Sequence, residues 1–312
     1  MDKILHQLFA QKYDAMIRGL RHLPDMIGTD TYPLVVNGMS GGVDSDVSSA
    51  LLVDAFGIGH VLGLNLPTEY NSEQTKQSAA YTASKLGIKI LTVPISTIVN
   101  ANQETLQEYV FNKLGIKLHS NAKDVTDQNI QAKIRGTNIL SNVAGAYHAL
   151  FINNGNKLET ALGYATLYGD VGGAIAVLGD LTKTEVFEMA RYINNEVHHD
   201  EIIPWTLIPD ELFRFDNGKI APSAELKEKQ IDPMRFGYHD ALLEALTNYN
   251  KTSPEQILRW YKEGTLAENL DISNELLERW DITTPSTFIA DLDWFRNQHN
   301  GNVFKRVQAP PI

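Results

Sequence analysis

The 312-residue chain contains no cysteine. That excludes a disulfide framework and any thiolate metal site. No apolar run is long enough to span a bilayer. Met1 to Ile27 carries charges throughout and has no signal-peptide apolar segment, so a soluble, cytoplasmic protein with no membrane partner is expected. Positive charge is scarce: 27 Lys and Arg stand against 38 Asp and Glu, a formal charge of −11. Nucleic-acid binders usually carry a broad basic face, so no nucleic-acid partner is expected. Small anionic ligands stay open if a few cations and a metal converge locally. Repeats, low-complexity stretches and linkers are absent as well. With 43% apolar residues a sizeable core can form, and residues 1–312 read as a single domain with an N-terminal helix over 2–27 and a helical C-terminal region over 238–312.

What is present is a punctuated stretch, Val35-Val36-Asn37-Gly38-Met39-Ser40-Gly41-Gly42-Val43-Asp44-Ser45-Asp46. A short apolar strand runs into Gly41-Gly42, and Val47 to Phe56 then has helical periodicity. At such a strand-to-helix turn, free backbone N–H groups and the positive helix end favour a phosphate. Two glycines let the backbone approach it. Ser40 and Ser45 add hydroxyl donors. Asp44 would repel a phosphate unless a cation lies between them. Mg2+ is the usual bridge, held by one or two carboxylates plus phosphate oxygens. A bare glycine turn binding nothing is the bland alternative. The Walker pattern GxxxxGK[ST] is absent.

In chain order, Asp2 to Ile27 reads as one amphipathic helix and Leu34 to Met39 as the first strand. Val61 to Leu66 and Ile88 to Val93 are further strands, separated by a helix over Ser72–Leu86 that ends at Gly87. Strand, helix, strand, helix, strand implies a parallel sheet with ligands beyond the strands' carboxyl ends. Ile95 to Leu118 is helical with a break near Gly115, and Asp124 to Tyr147 is helical. Ala149–Asn153 and Ala174–Leu178 are fourth and fifth strand candidates, with irregular chain over Gly163–Gly173. Lys183–Asn194 is a helix. Ile202 to Gln230 is one long loop, a length that in a compact domain points to function. Helices follow over Tyr238–Asn250, Ser253–Glu263, a short piece near Leu276–Trp280, and Phe288–Asn300.

A second polar block comprises Asn156-Lys157-Leu158-Glu159, Gly163-Tyr164-Ala165-Thr166-Leu167-Tyr168-Gly169-Asp170 and Thr182-Lys183. Lys157 and Lys183 can neutralise phosphate. Glu159 can pair with Asp44 around a magnesium ion, and Asp170 can accept hydrogen bonds. Each residue alone would more often be solvated surface.

The first stretch resembles the SGGxDS pyrophosphate loop of the ATP pyrophosphatase superfamily. The second block resembles the GNKxE, GYxTLYGD and TK marks of the NAD synthetase family. Further matches are Asn129-Ile130-Gln131-Ala132-Lys133-Ile134-Arg135-Gly136, Pro222-Ser223-Ala224-Glu225-Leu226 and Phe304-Lys305-Arg306-Val307-Gln308-Ala309-Pro310-Pro311. The likeness is nearer to the synthetase part of glutamine-dependent members than to the short ammonia-dependent ones, yet no glutaminase domain precedes it. The missing cysteine also counts against the superfamily's sulfur-transfer members.

The resemblance implies an α/β fold: a Rossmann-like parallel sheet flanked by helices, of the adenine nucleotide alpha-hydrolase-like kind. It implies a ligase that amidates deamido-NAD with ATP and ammonia through an NAD-adenylate, releasing AMP and pyrophosphate. A homodimer is implied, and a separate glutaminase could supply the ammonia. By the same resemblance Ser40, Gly41, Gly42, Val43, Asp44, Ser45, Arg135 and Ser223 contact ATP. Asp44 and Glu159 hold Mg2+. Lys157, Tyr164, Asp170, Lys183, Lys305 and Arg306 contact the dinucleotide, with Asp44, Asp170 and Lys183 at the reacting groups. The 204–230 loop would close over the substrates.

Four departures stand out. Asp46 replaces a usual Thr, Ser or Ala; it either weakens ATP binding or, pointing roughly 200° from Asp44 on a helix, serves a structural role. Glu69 replaces a frequent Arg, Asn71 replaces a Ser, and Leu158 replaces the Ser of GNKSE. Another ligase with the same loop, or a weakened or non-catalytic paralogue that binds dinucleotide, are the competing readings. His60, His119, His148, His198, His199, His239 and His299 show no metal-ligand spacing, apart from the adjacent His198-His199 pair in a polar stretch. Trp205, Trp260, Trp280 and Trp294 are expected to pack.

Overall fold

The structure, a computed structural model, describes residues 3–117, 120–227, 230, 232–247 and 251–312. The expected helix ends at Asp2, Leu118 and Asn250, and His119, lie outside the described residues. The chain opens with α1 (Lys3–Arg21) and α2 (Leu23–Ile27). The single helix expected here is broken at His22. Pro24 has no N–H, and its ring would clash with the Leu20 carbonyl. Phe9, Ile17, Leu20 and Leu23 are buried.

β1 (Val35–Gly38), α3 (Val43–Phe56), β2 (Val61–Asn65), α4 (Glu73–Leu86) and β3 (Lys89–Thr92) follow. Ser72 caps α4 by accepting from Thr75 N, and Gly87 ends it with φ 69°. Then come α5 (Ser96–Leu106), a π-helical stretch (Gln107–Phe111), α6 (Asn112–Leu114), ended by Gly115 in the left-handed region, and α7 (Ser120–Lys133). Another π-helical stretch (Ile134–Leu140) leads into α8 (Ser141–Ala146) and β4 (Leu150–Phe151).

The four strands are parallel in the order β3-β2-β1-β4, with Val35 opposite Val61 and Leu150, and Leu62 opposite Lys89. Alternate side chains enter different cores. Val35 and Val61 pack with α1 and α3, whereas Val36, Leu62 and Leu64 pack with Ile95, Val99 and Ile134 on the other face. Helices therefore cover both faces, as parallel sheets require. The expected fifth strand, Ala174–Leu178, reduces to a single bridge between Asn153 and Ala176. Its N–H groups are divided: Ala174 donates to Phe151 O, but Ala176 donates to Pro311 O in the C-terminal tail.

The remainder is α9 (Lys157–Leu162), α10 (Lys183–Tyr192), α11 (Tyr238–Thr247), α12 (Pro254–Glu263), α13 (Leu266–Asn269), α14 (Asn274–Arg279), α15 (Pro285–Gly301) and α16 (Val303–Arg306). Phe288, Leu292 and Phe295 of α15 belong to the same buried cluster as α3 and α10. Among the described residues no helix is long and apolar enough to cross a membrane.

Candidate functional site

A cavity of about 430 Å³ lies beyond the carboxyl ends of β1, β2 and β4. Its floor begins at Gly38–Ser40. Buried asparagines hold the strand ends in place: Asn65 Nδ2 donates to Met39 O at 2.9 Å and Asn154 Nδ2 to Gly38 O at 2.9 Å. Asn153 Nδ2 reaches Asp170 O at 2.6 Å and Gly172 O at 3.2 Å. Gly41 has φ 85°, and a Cβ there would lie 1.8 Å from Thr75 O, so only glycine fits. Gly42 is the N-cap of α3, and no side chain caps that helix. Its first-turn N–H groups are thus left without a side-chain acceptor.

The helix begins four residues before the expected Val47, which carries Asp44, Ser45 and Asp46 into its first turn. Asp44 faces the cavity. Its Oδ1 accepts from Asn156 Nδ2 at 3.0 Å, and its Oδ2 accepts from Lys183 Nζ. Lys183 is the first residue of α10 and only 2% exposed. Its ammonium also lies 3.5 Å from Glu159 Oε1. Glu159 is held in turn by a capping box on α9: its N–H donates to Asn156 Oδ1 at 3.0 Å, and its Oε2 accepts from Asn156 N at 3.4 Å. Asp232 completes the cluster; its Oδ1 is buried and without a hydrogen-bond partner.

Three carboxyls thus surround one ammonium. Burial alone would discharge Lys183, but Asp44 and Glu159 more than offset it and hold the amine protonated above its ordinary range. Burial pushes Glu159 upward, with Asp44 and Asp232 adding repulsion that Lys183 only partly relieves. Burial raises Asp232 too.

Arg135, Asp170, Lys305 and Arg306 also line the cavity. Arg135 Nε donates to Leu66 O at 3.0 Å, and burial draws the guanidinium down to about 10. Asp170 is raised by burial and accepts from Thr166 N at 2.6 Å. Lys305 Nζ donates to Gly163 O at 2.7 Å and Ala165 O at 2.6 Å.

Asp44 and Glu159 offer hard oxygen ligands that share one cation, and the orphaned Asp232 Oδ1 adds a third carboxyl to the group. Among the described residues no group of three or more His, Cys, Asp or Glu is arranged to hold a metal alone. Two carboxylates such as Asp44 and Glu159 suit Mg2+ when ligand phosphates supply further oxygens, which is how Mg2+ is usually held.

The model of the family described as NAD synthase matches residues 18–272. The chain belongs to the NAD synthase family. The glutamine-dependent NAD(+) synthetase of Aquifex aeolicus is 35% identical over 239 residues, 76% of this chain and 38% of that protein. The one from Xylella fastidiosa is 35% identical over 297 residues, 95% of this chain and 46% of that protein. The chain thus spans less than half the length of these curated relatives. The structure of the NH3-dependent NAD synthetase from Campylobacter jejuni superposes with a TM-score of 0.63 at 21% identity, covering 97% of this chain and 98% of that one. That likeness shows the Rossmann-like fold expected from the motifs.

The cavity and its rim gather most, but not all, of the residues singled out in the sequence. Ser40, Asp44 and Glu159 meet at one end, and Arg135, Asp170, Lys305 and Arg306 also line the cavity. Gly41, Gly42 and Val43 shape the turn. Ser45 is buried, and its Oγ donates to Gly42 O at 2.9 Å. Lys183 sits behind Asp44 rather than on the cavity wall.

Three residues are placed elsewhere. Lys157 Nζ donates to Glu244 Oε1 at 2.7 Å and turns away. Ser223 Oγ accepts from Glu225 N at 3.1 Å, outside the cavity lining. The Tyr164 hydroxyl accepts from Gln230 Nε2 at 3.3 Å.

Two of the departures, Asp46 and Leu158, are buried in the packing. Asp46 is fully buried and accepts from Thr82 Oγ1 at 2.8 Å and Ser78 Oγ at 3.4 Å of α4. Burial raises it to about 7 despite these bonds. Leu158 is buried in the core, and the exposed Glu69 accepts from Ser96 Oγ at 2.7 Å. Trp260, Trp280 and Trp294 pack against the core, but Trp205 is 40% exposed. Asn156 and Asp232 were not singled out. The Asn-x-x-Glu spacing of a capping box was the signal that could have found Asn156; nothing in the chain just after the long loop marked Asp232.

The loop's far end is tied down. Glu225 Oε2 accepts from Asn71 Nδ2 and Thr75 Oγ1, both at 2.9 Å, and Gln131 Nε2 donates to Leu226 O at 2.7 Å.

Proposed function

We propose that the chain is an ammonia-using NAD synthetase, which amidates the nicotinate carboxylate of deamido-NAD at the expense of ATP. The observation that carries this reading is the Asp44–Lys183–Glu159 cluster at the foot of an uncapped, glycine-entered helix, beside a cavity that Arg135, Lys305 and Arg306 also line. Polyphosphate fits the uncapped helix end, with Ser40 as hydroxyl donor. Asp44 and Glu159 would hold Mg2+. The ion would neutralise charge on the phosphates and on the departing pyrophosphate.

Lys183 is a fixed, permanently charged donor beside these carboxylates. It compensates their charge before substrate arrives and stabilises added charge during transfer. A nicotinate oxygen attacks the α-phosphorus of ATP, the bond to the bridging oxygen breaks, and pyrophosphate leaves. Ammonia then adds at the activated carbonyl carbon, AMP departs with the oxygen, and the surplus proton passes to solvent. In this reading ammonia is the immediate donor, whatever its source. Asp170, Arg135, Lys305 and Arg306 are assigned to the dinucleotide and nucleotide sugars. A homodimer and a separate ammonia-supplying glutaminase remain part of this reading.

The test is a product assay with deamido-NAD, Mg-ATP and either ammonium or glutamine. NAD and AMP in equal amounts with ammonium are expected. AMP without NAD, or no product at all, would overturn the amidation reading. Asp44→Asn should remove magnesium-dependent turnover while the melting curve stays cooperative; a near-parental rate would contradict the metal assignment.

A further inference from the structure

Among the described residues four cationic side chains line the cavity: Lys76, Arg135, Lys305 and Arg306. Three are committed to neighbouring oxygens. Arg135 bonds Leu66 O and Asn71 Oδ1 at 3.0 and 3.3 Å. Lys305 bonds two carbonyls of the loop after α9, and Arg306 Nη1 donates to Ala161 O at 2.7 Å. Lys183 is held by Asp44. Lys76 differs. Its Nζ meets Glu73 Oε1 at 2.8 Å, three residues back on the same helix, and the Glu73 side chain is 78% exposed. Exposed pairs within one helix are weak, so little opposes a swing of the lysine arm.

The position of Lys76 is also specific. A Cβ on Gly41 would lie 1.8 Å from Thr75 O and 3.0 Å from Ala79 N, so the helical turn that carries Lys76 is the one touching the glycine turn. Beside that turn, three carboxyls face a single ammonium. An arriving polyphosphate needs positive charge that these groups do not provide. A lysine, as a mobile point charge on a flexible stem, suits that need.

We propose that Lys76 is a phosphate-binding residue that leaves Glu73 to pair with the polyphosphate of the bound nucleotide. This rests on the nucleotide reading given above. It gives α4 a direct part in the site and assigns the cation on the outer side of the phosphates to this chain's own surface.

The test is calorimetric titration of the full chain with Mg-ATP and with inorganic pyrophosphate, alongside steady-state kinetics. Lys76→Met, which keeps the stem and removes the charge, should weaken both ligands about ten-fold, the scale of one charge-assisted bond. KM for ATP should rise with it, while KM for the dinucleotide stays within about two-fold. Lys76→Arg should recover most of the loss. Glu73→Gln, which frees the lysine, should leave ATP affinity unchanged or higher. Unaltered ATP affinity in Lys76→Met, or an equal loss in Glu73→Gln, would overturn the assignment. Should the parent bind ATP in a Lys76-dependent way yet form no NAD, the amidation reading falls and this one stands. Should the parent bind no ATP, both fall.

Discussion

Two strand-to-helix turns meet at the cavity, and they treat the helix N-terminus in opposite ways. After β1 the chain enters α3 through Gly42, whose missing side chain leaves the first turn uncapped. After β4 it enters α9 through Asn156, which closes a full capping box with Glu159. One turn leaves its backbone donors without a side-chain acceptor; the other satisfies them internally and places the second oxygen of Glu159 beside Lys183. Open and closed helix ends lie one hydrogen bond apart, through Asn156 Nδ2 and Asp44 Oδ1. An anion site therefore needs a neighbour that does not compete for the anion.

The largest effect should come from the cation that joins the two turns. Lys183→Met leaves Asp44, Glu159 and Asp232 facing one another in a buried place. Breaking a buried pair this way costs about 3–5 kcal/mol, and loss of a preorganised charge should lower NAD formation by about a hundred-fold or more. Thermal melts and the product assay read both. A variant that melts and turns over like the parent would mean that the cluster is not organised by Lys183.

The next effect concerns the open turn's support. Asp46 anchors α3 to α4, and its carboxyl titrates near about 7 in the fold against 3.8 ordinarily. The folded state thus binds the proton more tightly. The stability linked to Asp46 is complete below about pH 4 and disappears as pH rises through about 7, an amount on the order of 4 kcal/mol. Asp46→Asn cannot ionise and keeps acceptors for Ser78 and Thr82. It should melt higher than the parent at pH 8 and show no such gain at pH 4. Equal melting temperatures at pH 8 would mean that Asp46 stays charged where it lies.

Much of this was legible in the sequence because local chemistry decided it. Ser72 and Gly87 bound α4 as a capping residue and a left-handed terminator, and both ends appear where expected. The start of α3 was misread because Asp44-Ser45-Asp46 look like loop residues, although Asp and Ser are favoured in a first helical turn. Lys157 and Lys183 mark the limit. Each is the first residue of a helix behind a capping box. Only tertiary partners separate them: Glu244 draws Lys157 away, while Asp44 draws Lys183 in. No local pattern encodes that choice, and none encoded the arrival of Asp232 from the chain beyond the long loop.

A smaller effect tests the closed turn. Asn156→Ala removes the α9 cap and the amide that holds Asp44 Oδ1. Losing such a cap costs about 1–2 kcal/mol. If Asn156 also positions Asp44, kcat should fall while KM for the dinucleotide holds. Asn156→Asp separates the two roles: it keeps the cap but replaces the donor to Asp44 with a carboxylate. It should melt near the parent and still turn over poorly. Full activity in Asn156→Asp would make Asn156 a cap and nothing more.

The smallest change in stability, and the most direct test of the contrast, is to close the open turn. Gly42 has φ −90°, and a Cβ there meets nothing nearer than Ser40 Oγ at 3.5 Å. A serine therefore fits where Gly41→Ala would not. Gly42→Ser offers α3 a hydroxyl acceptor of its own, which relative to glycine contributes only a few tenths of a kcal/mol. The melting temperature should stay level or rise slightly. ATP affinity should fall, because the new hydroxyl takes a donor that the phosphate would otherwise receive. Stability and binding would then move in opposite directions from one added atom pair. Unchanged ATP affinity with a raised melting temperature would show that the uncapped N-terminus of α3 is not where the anion sits.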